Sequence, residues 1–164
     1  MISMEVITIN YEKLLSEADD HCISVDENIP FQSNLKGLYI SGNIALSNRL
    51  ETTSERSCIL AEELGHHYTS TGNILDQSVT ENRKQEYRAR LWAYNKLIGL
   101  TGIITAYEHC CRSFHEMADY LNVTEKFLLD TINCYKNKYG LYTIVDNYII
   151  YFEPALSVGK LTSD

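Results

Sequence analysis

Two adjacent pairs of ionisable residues stand in the run Cys58-Ile-Leu-Ala-Glu62-Glu63-Leu-Gly-His66-His67-Tyr68. Residues four apart stack on one face of an α-helix, so Glu62 and His66 point the same way. A carboxylate and an imidazole at that spacing can hold a metal ion between them. Glu63, one position on, is placed to reach a water on such a metal rather than the metal itself. Leu60, Ala61, Leu64 and Gly65 add a tight, small-residue surface suited to close packing, which ordinary solvated helix acids do not need.

This is the spacing of the H-E-x-x-H motif of metal-dependent hydrolysis, with Glu62 where the first histidine would stand. A catalytic zinc needs three protein ligands and an open position. The third ligand is expected from a separate element packed beside the first helix. Glu86 is the candidate, opening the run Glu86-Tyr-Arg-Ala89-Arg-Leu-Trp92-Ala93.

These two runs together resemble the ImmA/IrrE metallopeptidases of bacteria and their mobile elements. That family pairs a helix reading roughly H-E-L-G-H with a second reading roughly E-x-E-A-N-x-F-A. Glu62-Glu-Leu-Gly-His66 matches the first apart from its opening residue. Glu86, Ala89, Trp92 and Ala93 fall on the second pattern's leading glutamate, alanine, aromatic and final alanine, while Arg88 and Arg90 replace its second glutamate and its asparagine. The likeness covers about residues 35–98. It implies a zincin-like core in which Glu62, His66 and Glu86 hold zinc and Glu63 is the general base. It also implies a substrate, a helix-turn-helix transcriptional repressor whose cleavage releases phage or mobile-element genes. The extra carboxylate makes the ligand set oxygen-rich, which admits manganese or iron beside zinc.

His67 points about 100° away from His66 on a helix. It and Tyr68 are candidates for oxyanion or substrate contact rather than ligands. Cys58, one turn before Glu62, reads as a buried thiol. Trp92 and Tyr94 read as core aromatics. His109, Cys110 and Cys111 lack partner spacing and read as structural, and His115-Glu116 lacks the x-x-H half of a metal motif.

The segment 113–138 has the outline of a helix-turn-helix pair: 113–121, a turn at Asn122-Val123-Thr124, and 125–138. Recognition helices offer Arg, Lys, Asn or Gln near their start. This one offers Thr124, Glu125 and Lys126, so DNA binding is not expected, and a docking surface for the repressor is the better reading. Two other functions remain open on the sequence: an antirepressor acting by binding alone, and a DNA-binding regulator using 113–138.

Elements that would position these residues follow from pattern. A helix is predicted over 11–22, a loop over 23–34, and a hairpin of 37–40 and 44–47 around Ser41-Gly42-Asn43. A helix opens near 51–55, where hydroxyls and acids suit an N-terminus, and stops at Thr71-Gly72-Asn73. A second long helix is predicted over 79–98, its end bracketed by Gly99 and Gly102. A hairpin of 141–145 and 148–152 closes the chain before a loose tail at 155–164. The fold class is therefore α+β and mainly helical; the resemblance implies a zincin-like metallopeptidase core over 1–100, followed by a helical, helix-turn-helix-like subdomain with a terminal hairpin over 101–164.

The net charge of −8 over 164 residues lowers the expectation of nucleic-acid binding, which needs a basic patch. The first residues lack a basic, then apolar, leader, and the five cysteines include no CxxC pair. A cytoplasmic protein with reduced thiols and no membrane segment is the expectation.

Overall fold

A computed structural model describes residues 10–70 and 79–161. These fall into two compact units, residues 10–96 and 97–161. The α+β class with a majority of helix holds.

In the first unit, α1 (Tyr11–Asp20) is capped by Asn10, whose side chain accepts from the Lys13 N–H at 3.0 Å. Leu14 and Ala18 are its fully buried stripe. Strands β1 (Ser24–Ile29), β2 (Gly37–Ile40) and β3 (Asn43–Ser47) form a sheet in the order β1-β3-β2. β2 and β3 are the expected hairpin, antiparallel with Gly37 opposite Leu46.

β1 corrects the expected loop over 23–34. Its residues are mostly exposed, so they show no apolar alternation, and Asn28 at φ 63 interrupts the register. Parallel pairing with β3 supplies a strand that side-chain pattern could not announce. Arg56 ties β1 to the next helix by bonds to Glu27 at 3.0 Å and to the Leu50 carbonyl at 3.3 Å.

Helix α2 (Thr53–Thr69) starts on a capping box: Thr52 accepts from the Glu55 N–H, and Glu55 accepts from the Thr52 N–H, both at 3.1 Å. α3 spans Val79–Leu97. The helix stop expected at 71–73 lies outside the described residues. Ile44, Leu46, Leu60, Leu64 and Ala89 are sealed from solvent and form the centre of this unit. Each such Leu or Ile contributes roughly 1.5–3 kcal/mol by leaving water.

The second unit holds α4 (Gly99–Glu108), α5 (Phe114–Leu121), α6 (Glu125–Tyr139) and the strands β4 (Tyr142–Val145), β5 (Tyr148–Tyr151) and β6 (Ser157–Lys160). α4 is a second correction. Gly99, at φ 62, does end the preceding helix, but it also begins the next one, and Gly102 lies inside α4. The apolar run through Ile103 and Ala106 is buried, which favours helix on both sides of the break. α5 and α6 form as expected, with a second capping box (Ser113, Glu116), Asn122 left-handed at φ 53, and Thr124 capping α6.

The third correction is the tail. Residues 157–160 add β6 antiparallel to β5, giving a sheet ordered β4-β5-β6. Val158 is buried on it, one apolar residue in a short polar segment and too weak a signal to read in advance. All five cysteines are free thiols. Among the described residues, no helix is long and apolar enough to cross a membrane.

Candidate functional site

The doubled pattern Glu-Glu-x-x-His-His turns two neighbouring stripes of α2 toward two different elements. Glu62 and His66 share one stripe and meet α3. Ile59, Glu63 and His67 share the next and meet β2.

Toward α3, the backbones approach as closely as side chains allow. A Cβ added to Gly65 would lie 2.3 Å from the Ala89 carbonyl oxygen. Glycine here and alanine there are what let the two helices touch. The approach puts His66 Nε2 at 3.3 Å from Glu86 Oε2. The other Glu86 oxygen accepts from Arg90 Nε at 2.9 Å, and Arg90 also feels the charge of Glu62.

Toward β2, the Tyr39 hydroxyl and His67 Nδ1 share a hydrogen bond of 2.9 Å, with the rings edge to face. Glu63 lies against Gly37, with the Tyr39 backbone N–H turned toward its carboxylate. Burial pushes the Glu63 pKa up to about 7, and the negative charges of Glu62 and Glu86 push the same way; the Tyr39 N–H opposes them. A carboxyl with such a pKa can both take and return a proton near neutrality.

Glu62, Glu63, His66 and Glu86 line one cleft of about 630 Å³, with Leu35, Gly37 to Ser41, Ser70 and Gln85 completing its walls. That size lies within the roughly 300–1,000 Å³ usual for ligand sites. Leu35, Leu38 and Ile40 are exposed apolar residues on its β2 side.

Of the expected site residues, the structure therefore brings Glu62, Glu63, His66 and Glu86 together. His67 reaches the cleft through its bond to Tyr39, which lines it. Tyr68 faces elsewhere, in a shallow pocket with Glu17, His21, Trp92, Asn95 and Lys96, its ring 4.9 Å from Trp92. Burial and the nearby Glu17 carboxylate push the Tyr68 pKa up. Trp92 is half-buried rather than core, with the Lys96 ammonium 5.6 Å from its ring, while Tyr94 is buried. Cys58 is buried, and His109 stacks on Tyr120 at 4.5 Å.

Among the described residues, no three His, Cys, Asp or Glu side chains already stand in a metal-holding group. His66 and Glu86 instead touch each other. The donor chemistry nonetheless fits a divalent cation: an imidazole and three carboxylates crowd one cleft, and two of those carboxylates raise the pKa of the third. Gly37 and Tyr39 escaped the sequence reading, although a glycine opening a strand is a known mark of close approach.

Comparison with protein-family models, with curated proteins and with solved structures finds no match to this chain.

Proposed function

We propose that the cleft between α2, α3 and β2 is the active site of a metal-dependent endopeptidase, and that its substrate is a helix-turn-helix repressor. The observation that carries this reading is the pairing of His66 with Glu86 across two helices, with Glu62 and the half-buried Glu63 in the same cleft. The resemblance to ImmA/IrrE peptidases supports the choice of substrate, and the zincin-like description belongs to the same proposal. Glu62, His66 and Glu86 would hold zinc, with manganese or iron as the oxygen-rich alternatives. When bound, the ion supplies Lewis acidity at the scissile carbonyl.

The chain's own part in the chemistry is proton transfer. Glu63 accepts a proton from the attacking water and returns it to the leaving amine. Arg90, bound to Glu86, fixes the outer oxygen of that carboxylate and leaves the other facing His66.

The DNA-regulator alternative finds little support in α5 and α6. Lys126 is bound to Asp130 at 2.7 Å and His115 to Glu125 at 2.8 Å, so acids accompany the cationic groups at the start of α6.

The test mixes the purified protein with the repressor encoded beside it. Wild type should retain about one divalent ion per chain and cut the repressor. Glu63→Gln should keep the ion and lose about 10²–10⁴-fold in cleavage rate. A protein that refuses both zinc and manganese would end the metal reading. Full relief of repression by Glu63→Gln, with the repressor intact, would replace the peptidase by a binding antirepressor.

A further inference from the structure

The hydrogen bonding of β2 alternates between its two sides. Ser47 N–H donates to the Lys36 carbonyl at 2.9 Å, and the register then turns the backbone groups of Leu38 and Ile40 toward β3. Gly37 and Tyr39 consequently direct theirs to the free edge. Glu63 meets that edge, where the Tyr39 N–H is turned toward its carboxylate. A Cβ added to Gly37 would lie 2.7 Å from Glu63 Oε1, 2.9 Å from Glu63 Cγ and 2.5 Å from Ile59 Cγ2. Gly37 has no positive φ that would require glycine for backbone reasons. Space is the reason for it. Glu63 Oε1 ends a flexible side chain, whereas Glu63 Cγ lies mid-chain and Ile59 Cγ2 sits on a stiff β-branched carbon, so a methyl here would press on Ile59 and Glu63 could not keep its place.

We propose that Gly37 and the Tyr39 amide are positioning residues for Glu63, the glycine by leaving room for the carboxylate and the amide by fixing its direction. The inference rests on the reading of Glu63 as the general base, and it makes the hairpin a part of the reaction's machinery rather than a cover for the core.

Gly37→Ala is the test, with Gly37→Ala/Ile59→Ala beside it and cooperative melting as the check on folding. The double variant removes the Ile59 obstruction and leaves that of Glu63. In both variants kcat for repressor cleavage should fall about 10²-fold, the loss typical of an angstrom-scale misplacement, while KM and zinc content stay near wild type. The Tyr39 amide, followed by NMR and hydrogen exchange, should change in Gly37→Ala as it does in Glu63→Gln. Recovery of kcat in the double variant would assign the effect to Ile59 packing and overturn the proposal. A Tyr39 amide indifferent to Glu63→Gln in an otherwise wild-type chain would also overturn it, even if Gly37→Ala does not fold. Absence of cleavage by wild type would count against the peptidase itself, and the amide measurement would still decide whether β2 seats Glu63.

Discussion

His66 and His115 each sit among carboxylates, one in each unit of the chain. His115 has Asp119 at 3.4 Å and Glu125 at 2.8 Å, and all three side chains are more than half exposed. Water and salt screen such a cluster, and its members balance one another at the surface. His66 is only 28% exposed, and it shares its cleft with Glu86 and the half-buried Glu63. There the carboxylates repel: the charges of Glu62 and Glu86 add to the burial that holds Glu63 near neutrality. Similar residue types thus make a solvated surface network in one place and a cleft of crowded carboxylates beside one arginine in the other. Exposure to water, rather than composition, separates them.

The sharpest way to break this comparison is to delete each histidine. His66→Ala should abolish binding of zinc or manganese and remove the stabilisation the ion gives, about 2.7 kcal/mol at a hundred times Kd. His115→Ala should leave ion content untouched. Elemental analysis and melting with and without chelator read both. Equal ion content in the two variants would remove His66 from the metal site. The His115 pKa is raised, first by its bond to Glu125 and then by the charge of Asp119. Its small contribution is therefore present below the usual histidine pKa and fades as pH rises through the raised one.

A glycine pair sharpens the packing side of the contrast. Gly65→Ala drives a methyl into the Ala89 carbonyl, a backbone atom that cannot step aside, and should cost about 3 kcal/mol. Gly102→Ala meets the Leu121 Cδ2 at 3.3 Å, a side-chain end that can yield. The better helix propensity of alanine, worth up to about 1 kcal/mol, should offset that contact. Urea unfolding of both variants measures the difference, and a Gly65→Ala protein as stable as wild type would contradict the close crossing.

The smallest effects should be the most alike. Thr52→Ala and Ser113→Ala each remove the cap of a matching box and should cost about 1 kcal/mol. Backbone N–H donors hold the Glu55 and Glu116 carboxyls below their ordinary pKa. Their contribution is present above the normal carboxylate pKa and is lost as pH falls through the lowered one, so Glu55→Gln should lower the urea midpoint at pH 7 more than at pH 3.

Local chemistry was legible in the residues. The helix start around Thr52, the hairpin around Gly42, the stripe that joins Glu62 to His66, and the helix pair around Asn122 all depend on neighbours within a few positions, where propensity and periodicity act. The placement of Glu86 opposite His66 was legible through spacing and resemblance together. Tertiary structure alone decided the rest. β1 and β6 are strands because their backbones pair with β3 and β5, although their own side chains carry almost no pattern. Tyr68 and Trp92 turn to a pocket of their own because the close crossing of α2 and α3 sets which face of each helix is covered. The Glu63 pKa is pushed up to about 7 by desolvation and by the charges of Glu62 and Glu86, at a place where Gly37, far from it in the chain, leaves room for the side chain. A sequence names the carboxylate, but its proton affinity belongs to the desolvation and charge around it, which exist only once those segments have packed.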